Sequence, residues 1–178
     1  MLRLVGGGVL FALVVLAPLS ATNTLVAAQS PLAAHSGDYV WTGESSEQAA
    51  IATAIEAAVE GMNSLSANIA RARLAIANEP AERLSVQIDE SGTTLRAGDR
   101  ETHVPATGTS RVRGLGGERV RASQRVEGSS VHLTFRGGQG TRHQTLEFHG
   151  GTLVVDVRIE SRHLTSDVHY RLTYRRAS

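Results

Sequence analysis

The residues best suited to chemistry in this chain are its histidines and the acids near them. Seven histidines occur, six of them at 103, 132, 143, 149, 163 and 169. Imidazole is the commonest transition-metal ligand, but no His-x-x-x-His pair is present. The pairs six residues apart, His143 with His149 and His163 with His169, would lie ~20 Å apart along an extended strand. Only a cross-strand meeting of His132, His143 and His169, completed by Glu147 or Asp156, would gather ligands. Solvated surface histidines account for the same residues, and no metal set is assigned.

Nucleophilic catalysis needs an activated hydroxyl or thiol held against a base. The chain has no cysteine and no Gly-x-Ser-x-Gly turn. Ser161-Arg162-His163 is the nearest approach, and it reads as a strand end entering a turn. Glu147, Asp156 and Glu160 are candidates for proton transfer, yet arginines share their face and cross-strand ion pairs account for them. The runs Gly114-Leu115-Gly116-Gly117 and Gly137-Gly138-Gln139-Gly140 do not open a helix, as a phosphate cradle must. No catalytic residue and no cofactor is assigned, and the chain is read as non-enzymatic.

All 18 basic residues are arginine, which removes lysine Schiff-base chemistry. Residues 29–110 hold 5 Arg against 11 acids, whereas residues 111–178 hold 12 Arg against 6. The two halves cancel, so no nucleic-acid partner is expected. The basic half could still meet anionic headgroups or an acidic protein surface.

The elements that would position these residues follow from periodicity. From Ser45 to Ala77, Ile51, Ile55, Val59, Met62, Leu65, Ile69 and Ile76 recur at helical intervals and form one stripe. Ser45 with Gln48 resembles a capping box, while Asn78 and Pro80 supply the stop. Gly61, beside Asn63 and Ser64, costs about 1 kcal/mol of helix propensity against alanine, which makes it the expected place for a bend or break.

From Leu84 onward the period is two and turn residues recur every eight to ten positions, the pattern of an antiparallel meander. Eight strands are predicted, at 84–89, 93–97, 101–104, 118–127, 130–136, 141–148, 152–160 and 167–176, with a glycine-rich flap at 105–117. Parity places Leu133, Phe135, Leu146, Phe148, Val155, Val157, Leu172 and Tyr174 on an apolar face, and His132, His143, Arg158 and His169 on the polar one. The predicted fold is therefore α+β: a long N-terminal helix, continuous or broken near Gly61, packed on a curved antiparallel meander of about eight strands, open or closed into a barrel. Tyr39 and Trp41 are expected as a hydrophobic staple or lid ahead of the helix.

At the N-terminus, Arg3, the apolar stretch Leu4 to Leu19 and the small residues Val26-Ala27-Ala28 read as a cleavable signal peptide. Residues 1–28 are taken as signal and 29–178 as one domain. The protein is thus expected in the periplasm or outside the cell, with no membrane span after cleavage and, lacking cysteine, no lipoprotein anchor.

The layout resembles lipocalin-type barrels and curved lipoprotein-carrier sheets in strand count and helix. The lipocalin Gly-x-Trp is not matched, since Gly37 and Trp41 are separated by three residues. The reading is an exported, non-enzymatic binding module for a hydrophobic or lipid-like small molecule. Its expected contacts are Ala54 and Ala58 on the helix, Leu133, Phe135, Leu146 and Phe148 on the sheet, and Arg119 or Arg121 at the ligand's anionic end. The alternative is a filled-core envelope or secreted protein docking through its Arg-rich face, with an envelope protein as partner. The processing expectation is direct: N-terminal sequencing of exported material should begin at or near Gln29, and an intact Met1 in a membrane fraction would refute it.

Overall fold

The computed structural model describes residues 31–43, 45–114 and 117–178; the expected signal peptide lies outside them. A short 3-10 turn, Pro31–His35, leads into strand β1, Gly37–Trp41, and then helices α1, Ser45–Val59, and α2, Ser64–Ala77. The remaining strands are β2 Arg83–Asp89, β3 Gly92–Ala97, β4 Arg100–Pro105, β5 Ser110–Arg113, β6 Arg119–Glu127, β7 Ser130–Arg136, β8 Thr141–His149, β9 Thr152–Glu160 and β10 Val168–Arg176. They form one antiparallel sheet in the order β4-β3-β2-β1-β10-β9-β8-β7-β6-β5. Its edge strands β4 and β5 come together without a ladder, so the sheet nearly closes into a barrel. The expected helix-on-sheet architecture is present, and the closure left open by the sequence takes the barrel form.

All eight expected strands occur, with ends within one residue of those predicted, and two more join them. β1 pairs on one side with β10, from Tyr39 opposite Arg176 to Trp41 opposite Tyr174, and on the other with β2. Tyr39 is therefore a core strand residue, fully buried, and not a staple ahead of the helix. Trp41, in the same strand, packs against the core while its indole N–H donates to Glu47 Oε2 at 2.8 Å. β5 lies within the stretch expected as a flap, where Val112 is the only apolar residue in Ser110–Arg113.

The helix breaks where its sequence is weakest. Gly61 adopts φ 78°, a conformation that a side chain would strain, and Asn63 then caps α2, its Oδ1 accepting from the Ser66 N–H at 3.0 Å. The break ends the single stripe expected from periodicity. Ile51, Ile55 and Val59 of α1 are buried, whereas Leu65, Ile69 and Ile76 of α2 are 71%, 47% and 74% exposed.

α1 runs along β10 where the short β1 no longer pairs. At its start Glu47 Oε2 accepts from the Thr173 N–H at 3.2 Å, and at its end the Ala58 carbonyl accepts from the Thr165 N–H and hydroxyl, both at 3.0 Å. The loop before β10 thereby satisfies carbonyls that a helix end leaves free.

Inside the barrel, Val131, Leu133, Leu146, Leu153, Val157 and Val168 are at most 1% exposed. The 3-10 turn covers one side of this core, with Leu32 2% exposed and the His35 ring stacked on Phe148 at 4.9 Å. Gly92, at φ 144°, is needed for a close approach, because a Cβ there would collide with the Val104 carbonyl oxygen.

These faces set an order of stabilities. Leu133→Ala or Leu146→Ala should cost about 2–5 kcal/mol, and Leu65→Ala under about 0.5 kcal/mol, as read by denaturant melts. Equal losses at all three positions would contradict the assigned faces.

Candidate functional site

The inward face is mainly apolar, with Thr93 and Gln124 among its polar members and one polar cluster. Continuing the parity of Phe148 and Leu146 along β8 brings Gln144 and then Arg142 into the barrel, opposite Leu133 and Phe135 of β7 and Val157 and Ile159 of β9. Arg142 is partly buried. Its Nη1 donates to Asn78 Oδ1 at 2.5 Å and its Nη2 to the Tyr170 hydroxyl at 3.2 Å. The Tyr170 hydroxyl in turn donates to the same Asn78 oxygen at 2.7 Å.

Each partner is held from a different element. Asn78, 2% exposed, is the C-cap of α2, and its Nδ2 donates to the Leu74 carbonyl at 2.7 Å. Tyr170 is an inward residue of β10, where burial raises its pKa and the adjacent Arg142 only partly opposes the rise. The phenol therefore stays protonated and able to donate.

The guanidinium is not neutralised. No ion pair among the described residues involves Arg142, and its Nε is buried without an acceptor. Gln124 Oε1 on β6 is likewise buried without a donor, in the cross-strand row that runs Gln124, Leu133, Gln144, Val157 and Tyr170. A partly buried charge with no counter-ion is unfavourable, so this corner is suited to an anionic or strongly polar group entering from outside the chain.

The expected contact residues divide by face. Leu133, Leu146 and Phe148 point into the core at 1%, 0% and 4% exposure, Phe135 packs against them from beside Arg142, and on α1 Ala58 is fully buried with Ala54 half-exposed against the core. Arg119 and Arg121 stand on the outer face of β6, exposed, because the inward positions of that strand are Val120 and Ala122. They are not brought together with the apolar contacts. Arg142, Asn78 and Tyr170 were absent from the sequence-derived set. Two further steps of the parity that placed Leu146 and Phe148 would have reached Arg142, while nothing in the sequence links Asn78 to it across 64 positions.

On the outer face, an open cleft of about 540 Å³ is lined by residues that include His132, Glu147, Asp156, Asp167 and His169. Asp156 accepts from His169 Nε2 at 3.1 Å and Arg171 Nε at 2.7 Å, and Asp167 from Arg158 Nη2 at 2.6 Å. These are cross-strand ion pairs of the kind expected from the polar face. Among the described residues, no group of three His, Asp or Glu is gathered closely enough to hold a metal ion.

A Schistosoma mansoni fatty acid binding protein in complex with arachidonic acid is similar over 84% of this chain and 100% of its own, with a TM-score of 0.55 and 12% identity. Caenorhabditis elegans lipid binding protein 8 is similar over 80% and 95%, at TM-score 0.53 and 10% identity. A fatty acid transporter, REP1-NXSQ, is similar over 82% and 98%, at 0.52 and 12%. The shared feature is a fatty-acid-binding-protein-like β-barrel. At such identities the likeness is one of fold. No family model and no curated protein sequence matches the chain.

The Asp156 cluster makes a pH-dependent expectation. Burial is the largest single influence and would raise its pKa, but the hydrogen bonds from Arg171 and His169, together with the electrostatic attraction of both, outweigh it and hold the carboxyl below its ordinary value. The ionised group therefore stabilises the fold above the ordinary carboxylate range, and that contribution is lost as pH falls through the lowered value. Asp156→Asn should melt below the parent at pH 7 and converge with it in strong acid. A gap of constant size across that range would assign the effect to packing instead.

Proposed function

We propose that this chain is a binding module for a hydrophobic, lipid-like small molecule held in its barrel, with the ligand's anionic or polar end at Arg142. The observation that carries the reading is the guanidinium itself: it faces inward among Phe135, Ile159 and Leu133, has only neutral partners, and keeps a buried Nε free. The fold it shares with fatty-acid-binding structures supports the same reading. Nothing in the structure favours an envelope protein as partner.

Affinity would arise mainly from apolar burial, at about 25 cal/mol per Å². The arginine would fix orientation and select the charged end, since hydrogen bonds to charged groups contribute about 1.5–3 kcal/mol. The inward residues Leu133, Phe135, Leu146 and Phe148, with Ala54 and Ala58 of α1, are the proposed apolar contacts; they pack against one another in this structure, so binding requires that core to part. Residues 1–28 motivate the further proposal that binding takes place after export, in the periplasm or outside the cell.

Displacement of a fluorescent fatty-acid probe tests the site. Arg142→Leu should weaken binding of a long-chain carboxylate about tenfold or more, the lower end of that hydrogen-bond range, while leaving its methyl ester within about twofold. Equal loss for acid and ester would remove Arg142 from the site. Absence of any retained ligand in native mass spectra across a broad lipid panel, with no probe binding, would defeat the carrier reading as a whole.

A further inference from the structure

A second feature lies on the outside of the barrel, apart from the residues proposed to hold a lipid. In the register of β5, β6 and β7, Arg111 stands opposite Arg121, and Arg121 opposite Arg136, an unbroken row of arginines across three strands. Beside it Arg113 stands opposite Arg119. All five are exposed on the outer face, since the alternating positions Val112, Val120, Ala122 and Phe135 face inward.

Like charges directly opposed on neighbouring strands destabilise a sheet. Five arginines elsewhere are paired, Arg71 with Glu56, Arg96 with Glu101, Arg125 with Glu127, Arg158 with Asp167 and Arg171 with Asp156. Others such as Arg73, Arg83 and Arg100 stand without an ion pair among the described residues but are not opposed to one another across a ladder. None of the five opposed arginines takes part in an ion pair among the described residues. Glu118 lies in the adjoining hairpin but does not line the same surface.

The surface is concave. A depression of about 420 Å³ is lined by Arg111, Arg119, Arg121 and Arg136 together with the Gly137-Gly138 turn and Val120, and no acid enters it. Strands ~4.8 Å apart and residues ~3.4 Å apart along each strand place these four side chains on a patch of about 10 by 7 Å. Guanidinium groups recognise phosphate in a two-pronged geometry that a lysine ammonium does not offer. A single monoanion would leave most of the mutual repulsion in place. A compact anion with several adjacent charges would relieve it, and a depression of this size admits such a group more readily than it admits a flat bilayer.

We propose that Arg111, Arg119, Arg121 and Arg136 form a binding site for a compact, multiply charged phosphoryl anion, such as an oligophosphate chain. It is independent of the barrel interior, because its residues lie on the opposite face of the sheet.

The test uses the full chain with inorganic tripolyphosphate, orthophosphate and phosphatidylglycerol vesicles. Calorimetric titration should find tripolyphosphate bound at least tenfold more tightly than orthophosphate, with affinity falling as salt is raised. Arg121→Gln should reduce that affinity at least tenfold and, by relieving repulsion, raise the melting temperature of the ligand-free protein. Arg158→Gln, which alters a paired arginine elsewhere on the outer face, should leave tripolyphosphate affinity within twofold. Equal affinity for the two phosphates, undiminished binding by Arg121→Gln, or binding to vesicles without binding to tripolyphosphate would each overturn the proposal.

Discussion

The architecture depends on the pairing of a five-residue strand on both of its sides. β1 is the joint at which the meander β2 to β4 meets the run from β10 back to β5. Its shortness matters as much as its position. Because β1 leaves β10 after the Trp41–Tyr174 pair, the rest of that edge is free, and α1 is laid along it with Glu47 at one end and the Thr165 contacts at the other. A longer β1 would have continued the ladder and displaced the helix. The barrel is therefore closed partly by backbone pairing and partly by the apolar side of α1.

That arrangement determines where α2 ends. Its last turn enters the barrel through Asn78, whose single side-chain oxygen takes hydrogen bonds from both Arg142 and Tyr170. The amide oxygen is saturated by these two donors, and the amide nitrogen is tied to Leu74. The arginine, with more donors than the amide can accept, is not saturated. The contact thus anchors the helical segment to the sheet and leaves the guanidinium partly unsatisfied. A fully apolar triad of similar volume would be expected to hold the helix at least as well, since burying a charge is costly. An arginine at an inward position is a departure from the local pattern that stability alone does not account for.

Most of the sheet was legible in the sequence because its strands are long and alternate cleanly. Leu153, Val155 and Val157 against Val154, Asp156 and Arg158 leave one choice of face. β1 and β5 were not legible for different reasons: β1 carries three consecutive apolar residues, Tyr39, Val40 and Trp41, with no alternation, and β5 has a single one, Val112. The helical stripe was over-read, since periodicity counts residues through Gly61 as though the axis continued, whereas a positive φ there redirects the chain and turns Leu65, Ile69 and Ile76 outward. At the candidate site the apolar members could be found from alternation. The triad could not, because it joins α2, β8 and β10 through contacts that only the closed barrel creates.

The two groups of arginine differ in the physics that governs them. Arg142 is partly buried against the barrel core, where a charge is screened by salt less than at the surface. The outer arginines work in water, where the screening length, about 8 Å at physiological ionic strength, is close to the size of the patch itself. Their mutual repulsion is thereby tempered enough for the sheet to tolerate the row, without any acid having to stand between them. One residue type consequently stands in two different environments on opposite faces of the same sheet. Inside, a lone guanidinium is held in place by an amide and a phenol. Outside, arginines opposed to one another form a field whose strength follows the surrounding salt.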